Sequence, residues 1–190
     1  MAASRDLFLN QNGEVDRGRA YFSHQSAGVP GTVAGLTYAL KHYGTMSLKE
    51  VMAPAIRLAE KGFAVSYALD YEINARAKRL KMNDAAREIF FQANGDKLQV
   101  SSIWKQKDLA KTLKLIARHG AKAFYTGKVA DLIVADMQAN QGLISKRDLA
   151  DYKVIERQPL RGLYRGYEIV TTPPPSSGGI HIIQMLNILE

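Results

Sequence analysis

The sequence predicts an α-rich α+β chain, with helices through most of its length, one or two short β-hairpins, and a strongly apolar last helix. Three observations lead there. Apolar residues recur at helical spacing in several separate runs, each bounded by a capping residue or a glycine. The pattern switches to strand-like alternation on both sides of Tyr164, Arg165 and Gly166. The stretch after Gly179 then carries apolar side chains all around a helix. At 190 residues the length fits about one domain with a sizeable core.

Taken in order, residues 7–10 fit a short strand, followed by a turn at Asn12 and Gly13. Val29, Pro30, Gly31 and Thr32 read as a helix start; Val33, Leu36, Ala39 and Leu40 keep the helical spacing until Gly44 stops it. Ser47 and Glu50 have the form of a capping box, in which each side chain takes the other's orphan backbone N–H. The helix they open carries Val51, Met52, Ala55, Ile56 and Ala59 on one face. Pro54 should kink it or confine its first turn, and Gly62 ends it. Another helix covers residues 66–81, with Leu69, Ile73 and Ala77 inward. Asn83 caps a short helix, after which residues 89–92 and 98–100 flank Asn94 and Gly95, a hairpin signal with a loop longer than two residues.

Trp104 reads as a buried anchor at the start of the next helix. Residues 107–119 repeat Leu109, Leu113, Ile116 and Ala117 and end at Gly120. Residues 128–140 repeat Val129, Leu132, Ile133 and Met137 and end near Gly142. Ser145 and Asp148 open a short helix. Residues 154–161 and 167–172 then alternate as the arms of a hairpin. Residues 173–179, rich in proline, serine and glycine, lead into a helix over 180–190 that is apolar on every side and should be buried on every side. It reaches Glu190 without a cap, a glycine or a turn. The reading is of an incomplete piece of a larger α/β enzyme, cut inside this helix.

The formal net charge is +8, but Lys and Arg are mixed with acids along the chain, which argues against a nucleic-acid interface. The densest basic run, Arg76, Lys78, Arg79 and Lys81, falls at a predicted helix end, where cations suit the helix dipole. With no cysteine there is no disulfide scaffold and no thiolate metal site. No stretch is long enough to span a bilayer as a helix. The first residues lack the apolar core of a secretory signal, so an exported parent would carry its signal upstream.

Chemistry is sparse. Ser176, Ser177, Gly178 and Gly179, at a helix start, could present backbone N–H groups to an anion or carboxylate. The same residues also serve as an ordinary helix cap whose glycines permit close packing, and no phosphate-loop lysine accompanies them. There is no G-x-S-x-G elbow to make Ser177 a nucleophile served by His181. His24, His42, His119 and His181 have no mutual ligand spacing, so no metal site is read. Asp131 and Asp136 lie in basic surroundings and read as solvated surface. The residues by themselves show no catalytic constellation.

A resemblance adds what composition and spacing do not. The run from Ala27 to Gly35, with Gly28, Val29, Pro30, Gly31, Thr32 and Val33 within it, resembles a signature of the γ-glutamyltranspeptidase large subunit. Tyr43-Gly44-Thr45, Leu58 to Phe63, Gly142 to Ser145, Asp148-Leu149-Ala150, Tyr152, Tyr164 to Tyr167 and Pro173 to His181 match in the family order, as does Ala3 to Asp6. The match covers nearly the whole chain and is most like the bacterial type. It implies a segment of an N-terminal-nucleophile hydrolase with an αββα sandwich. Residues 28–152 would be its helical part, 153–172 a β-hairpin, and 173–190 a Pro/Gly turn and buried helix, all in one partial domain.

The resemblance also implies a precursor that cleaves itself into a large and a small subunit. The small subunit's new N-terminal threonine is the nucleophile, and its freed α-amino group is the base. The γ-glutamyl group of glutathione or a related amide passes to water, an amino acid or a peptide, the oxyanion being held by small-subunit backbone donors. No metal or cofactor takes part. The partners implied are the threonine-bearing small subunit and a glutathione-like substrate, and the compartment implied is periplasmic or extracellular. This sequence ends before the processing threonine and begins after the family arginine that grips the substrate's α-carboxylate. Arg5 matches a different position and does not inherit that role. Thr32, Thr45 and Thr171 are internal, with no free amine. The chain alone is therefore expected to be inactive, with residues 176–179 a pocket-supporting turn. The alternative is a stand-alone helical binding module derived from the same family.

Overall fold

Short polar side chains start many of the helices and glycines end several, so local chemistry sets most boundaries. The computed structural model describes residues 3–92, 95–96 and 98–190. They form two compact units, one ending at Tyr152 and the other spanning Lys153–Glu190.

In the larger unit, Asp16 opens α1 (Arg17–Phe22) by accepting the Arg19 N–H, and a 3₁₀ turn, His24–Ser26, follows. Helix α2 (Thr32–Tyr43) runs from Gly31 to Gly44. Helix α3 (Leu48–Lys61) begins with both halves of the Ser47–Glu50 capping box in place. The Ser47 hydrogen bonds hold the Glu50 carboxyl below its ordinary pKa. The helix runs through Pro54 and stops at Gly62, whose φ of 85° is a left-handed conformation that suits glycine. Strand β1 (Phe63–Ala64), α4 (Tyr67–Ala75), α5 (Ala77–Leu80), α6 (Asp84–Phe90) and β2 (Ile103–Trp104) come next. Then α7 (Lys107–His119), α8 (Lys122–Tyr125), α9 (Lys128–Ala139) and α10 (Lys146–Ala150) complete the unit. A second capping box, Ser145–Asp148, opens α10 and likewise lowers the Asp148 pKa through the Ser145 hydrogen bond.

Helices α3 and α7 pack side by side, tied where the Gln106 N–H meets the Ala59 carbonyl at 2.9 Å. They run antiparallel, because the start of α7 lies against the end of α3. Strands β1 and β2 pair antiparallel beside that junction, Phe63 opposite Trp104. The buried Trp104 donates its indole N–H to the Ile89 carbonyl at 3.0 Å and meets the Phe63 ring edge-on. It is the anchor that the sequence predicts just ahead of α7.

The main core lies among α8, α9 and α10, where Tyr125, Ala130, Val134, Met137, Ile144 and Leu149 are buried together. Val29, Val33 and Ala34 bring the start of α2 onto it. Gly31, the residue before α2, has no side chain to cap the helix. The Tyr125 hydroxyl does so instead: it accepts the Ala34 N–H at 3.1 Å and donates to the Pro30 carbonyl at 2.6 Å. Burial raises the Tyr125 pKa, which keeps the phenol protonated and able to donate. Tyr152 stacks on Tyr125, with ring centroids 5.6 Å apart and planes 4° from parallel. A Cβ on residue 31 would come within 2.1 Å of the Tyr152 hydroxyl, so only glycine leaves that ring its place.

In the smaller unit, β3 (Leu160–Tyr164) and β4 (Tyr167–Thr171) form an antiparallel hairpin closed by the Tyr164–Tyr167 pair. Arg165 and Gly166 have φ of 48° and 81°, the left-handed pair of a type I′ turn. Helix α11 (Gly178–Leu189) returns along the hairpin.

Several expectations are corrected. Residues 7–10 make only an isolated bridge, Leu9 to Val15, while α1 had no predicted counterpart although Asp16 is a good cap. The helix expected over 66–81 breaks at Arg76, whose backbone leaves helical geometry at φ −110° and ψ 6°. Residues 89 and 90 end α6 and residues 98–100 form no strand, so the expected hairpin arms are absent among the described residues; Asn94 itself lies outside them. The first hairpin arm is Leu160–Tyr164, not 154–161, because the two-residue turn fixes the closing pair and Pro159 has no N–H for the ladder. The last helix forms where the sequence places it; within this chain Gly179 is buried and Ile183 and Leu186 are half-buried, while Ile188 is 83% and Leu189 65% exposed.

Tyr125→Phe removes the acceptor of the Ala34 N–H and the donor to Pro30. It is expected to cost about 1–3 kcal/mol in urea unfolding. An unchanged midpoint would show that α2 does not depend on this hydroxyl.

Candidate functional site

The predicted site residues lie where β4 turns into α11. Contacts at three levels hold α11 to the hairpin. At its start, the buried Gly179 packs so close to β4 that a Cβ would fall 2.1 Å from the Thr172 carbonyl oxygen. In its middle, Ile183 covers Gly162 of β3, where a Cβ would lie 3.0 Å from the isoleucine methyl. At its end, the Glu190 carboxylate accepts the Arg165 N–H of the hairpin turn at 2.9 Å. Gly179, Ile183 and Glu190 follow helical spacing, so one stripe makes these contacts.

Between the strand and the helix, the Ser176 N–H reaches the Pro173 carbonyl at 3.3 Å around a cis Pro174–Pro175 peptide. Ser176, Ser177 and Gly178 are exposed, and Gly179 is buried. Ser177 is not the side-chain cap that its residue type allows. Its φ of −78° and ψ of −20° are already helical, and its hydroxyl takes no first-turn N–H. A serine cap needs an extended backbone to turn its oxygen toward the helix. The first-turn N–H groups of α11 thus receive no side-chain cap from Ser177, and the serine pair beside them is exposed. Such a helix start can receive an anionic or carbonyl oxygen from elsewhere.

Ser177 and His181 share the helical bond from the His181 N–H to the Ser177 carbonyl, with no side-chain hydrogen bond between them among the described residues. His24 meets Asp136 at 3.0 Å, and His42 stacks on Tyr38. Asp131 pairs with Lys146 at 2.6 Å, both exposed. Among the described residues no group of three His, Cys, Asp or Glu side chains could hold a metal ion, and no helix is long and apolar enough to cross a membrane. Sequence reasoning missed Tyr125 as the partner of the Pro30–Gly31 signature; no local signal marks a contact across more than 90 residues.

The solved structure of the Helicobacter pylori γ-glutamyltranspeptidase superposes with a TM-score of 0.97 at 43% identity, over 100% of this chain and 54% of that one. The fold is the helix-rich part of an N-terminal-nucleophile hydrolase, with two short antiparallel strand pairs. The gamma-glutamyltranspeptidase family model matches residues 1–190, and the chain belongs to that family. The glutathione hydrolase proenzyme of Escherichia coli K12 is 46% identical over 188 residues, 99% of this chain and 32% of the relative. The acylase ACY 1 proenzyme of Pseudomonas sp. SE83 is 46% identical over 166 residues, 87% of this chain and 30% of the relative. The chain spans about a third of the length of these curated relatives.

Gly179→Ala should be severe, because the atom it meets is backbone. The expected loss is about 1–3 kcal/mol, with faster proteolysis between β4 and α11. Gly178→Ala, whose nearest atom would be 3.7 Å away, should stay within about 0.5 kcal/mol. Equal effects of the two would contradict the close approach at Thr172.

Proposed function

We propose that this chain is a large-subunit segment of a γ-glutamyltransferase or glutathione hydrolase precursor. The observation that carries the reading is the family match over all 190 residues, joined to 46% identity with a glutathione hydrolase proenzyme. In the complete enzyme the γ-glutamyl carbonyl of glutathione or a related amide is attacked by the hydroxyl of an N-terminal threonine. The threonine's α-amino group takes the proton, the amide C–N bond breaks, and the amine leaves protonated. Water or an amino-acid or peptide amine then attacks the γ-glutamyl ester and regenerates the threonine.

None of those reacting groups belongs to this chain. Its part is scaffolding: residues 28–152 form the helical portion, 153–172 the hairpin, and 173–190 a turn and helix that the threonine-bearing small subunit covers. The uncapped start of α11 at Ser176, Ser177, Gly178 and Gly179 supports the substrate pocket, and no cofactor is required. The exposed Ile182, Met185, Ile188 and Leu189 support this placement, since a run of exposed apolar side chains marks an interaction surface. The working compartment is the periplasm or the cell exterior.

Acylase ACY 1 supplies a second reading, amide hydrolysis on another acyl group, at the same percentage identity. Incubating the purified chain with a chromogenic γ-glutamyl amide is expected to give no turnover above the uncatalysed rate. Robust turnover by the chain alone would overturn the proposal.

A further inference from the structure

The surface between α3 and α7 holds a second feature, independent of the hairpin unit. A cleft of about 770 Å³ opens there, bounded by Lys49, Lys111, Lys114, Arg118 and Lys128. Ile56, Leu115 and Ala117, all half-buried, supply its apolar lining. Among the described residues no acidic side chain lines it. Lys111 is neutralised by Asp108 and Lys114 by Glu60, whereas Lys49, Arg118 and Lys128 have no ion pair among the described residues. All three are exposed. The antiparallel packing explains the cluster: the first turn of α3 lies beside the last turn of α7, so Lys49 and Arg118 come from opposite helix ends.

We propose that this cleft is a docking site for an acidic, amphipathic polypeptide segment. Its half-buried apolar lining asks for side chains at helical spacing, and its cationic rim asks for carboxylates beside them. A single-stranded nucleic acid would use stacking platforms, and among the described residues no aromatic ring lines the cleft. The volume lies within the range of clefts that hold a compact ligand or a short segment. The second basic surface of this unit does not compete. There Arg76 is paired with Glu72 and Arg79 lies over the Phe22 ring, 4.1 Å from its centroid.

The test is fluorescence anisotropy with a fluorescein-labelled peptide carrying leucines at helical spacing and glutamates elsewhere, added to the 190-residue chain at low ionic strength. Binding is expected, and it should weaken by about tenfold or more in Arg118→Glu/Lys128→Glu. Lys78→Glu, on the other basic surface, should change it by less than about twofold. Lys49→Glu/Lys128→Glu is a second charge-reversed pair at exposed positions, and circular dichroism of each variant checks that the helices persist. Absence of binding by the parent chain would overturn the proposal, as would equal loss in the Lys78→Glu control. Binding as tight by polyglutamate, duplex DNA or anionic phospholipid vesicles would overturn it too, since the apolar lining would then play no part.

Discussion

A helix that begins at a glycine must find its cap elsewhere, and the larger unit is organised around how α2 does so. The Tyr125 hydroxyl stands between the Ala34 N–H and the Pro30 carbonyl, serving one as acceptor and the other as donor. Because Tyr125 ends α8 inside the core, this bond fixes the start of α2 against α8 and α9. Tyr152 then stacks on Tyr125, and its hydroxyl occupies the space above Gly31 that any side chain would fill. Glycine at 31 is therefore both the cause of the missing cap and the condition for the ring that closes over it. The residues of the family signature at Pro30, Gly31 and Tyr152 meet in this one assembly.

The smaller unit follows a similar logic with different parts. Two glycines, Gly162 and Gly179, let α11 approach the hairpin without a layer of side chains between, and Ile183 fills the contact. The consequence is asymmetry. One stripe of α11 is used, and the apolar residues on its other faces meet solvent in this chain.

Much of this was legible locally. Capping boxes at Ser47 and Ser145, glycines ending α3 and α7, and apolar spacing in α7 and α9 all act within a turn or two of the chain. What the sequence hid depends on distant partners or backbone detail. Nothing in the run of good helix formers from Ala75 to Lys81 announces the break at Arg76. Ser177 has a capping side chain, but its helical backbone turns the oxygen away. Tyr125 looks like any core aromatic until residues more than 90 positions earlier are brought against it. The family resemblance reached further than periodicity because it carried the outcome of such contacts without their geometry.

The central claim, that these residues are the large-subunit scaffold of a self-processing γ-glutamyl enzyme, is tested most directly by exchange. The 190-residue chain replaces the matching segment of the Escherichia coli glutathione hydrolase proenzyme, to which it is 46% identical. The purified chimera is then assayed for self-cleavage and for turnover of a γ-glutamyl amide. The account predicts a cleaved, active chimera. A soluble, folded chimera that neither cleaves itself nor turns over the amide would contradict it.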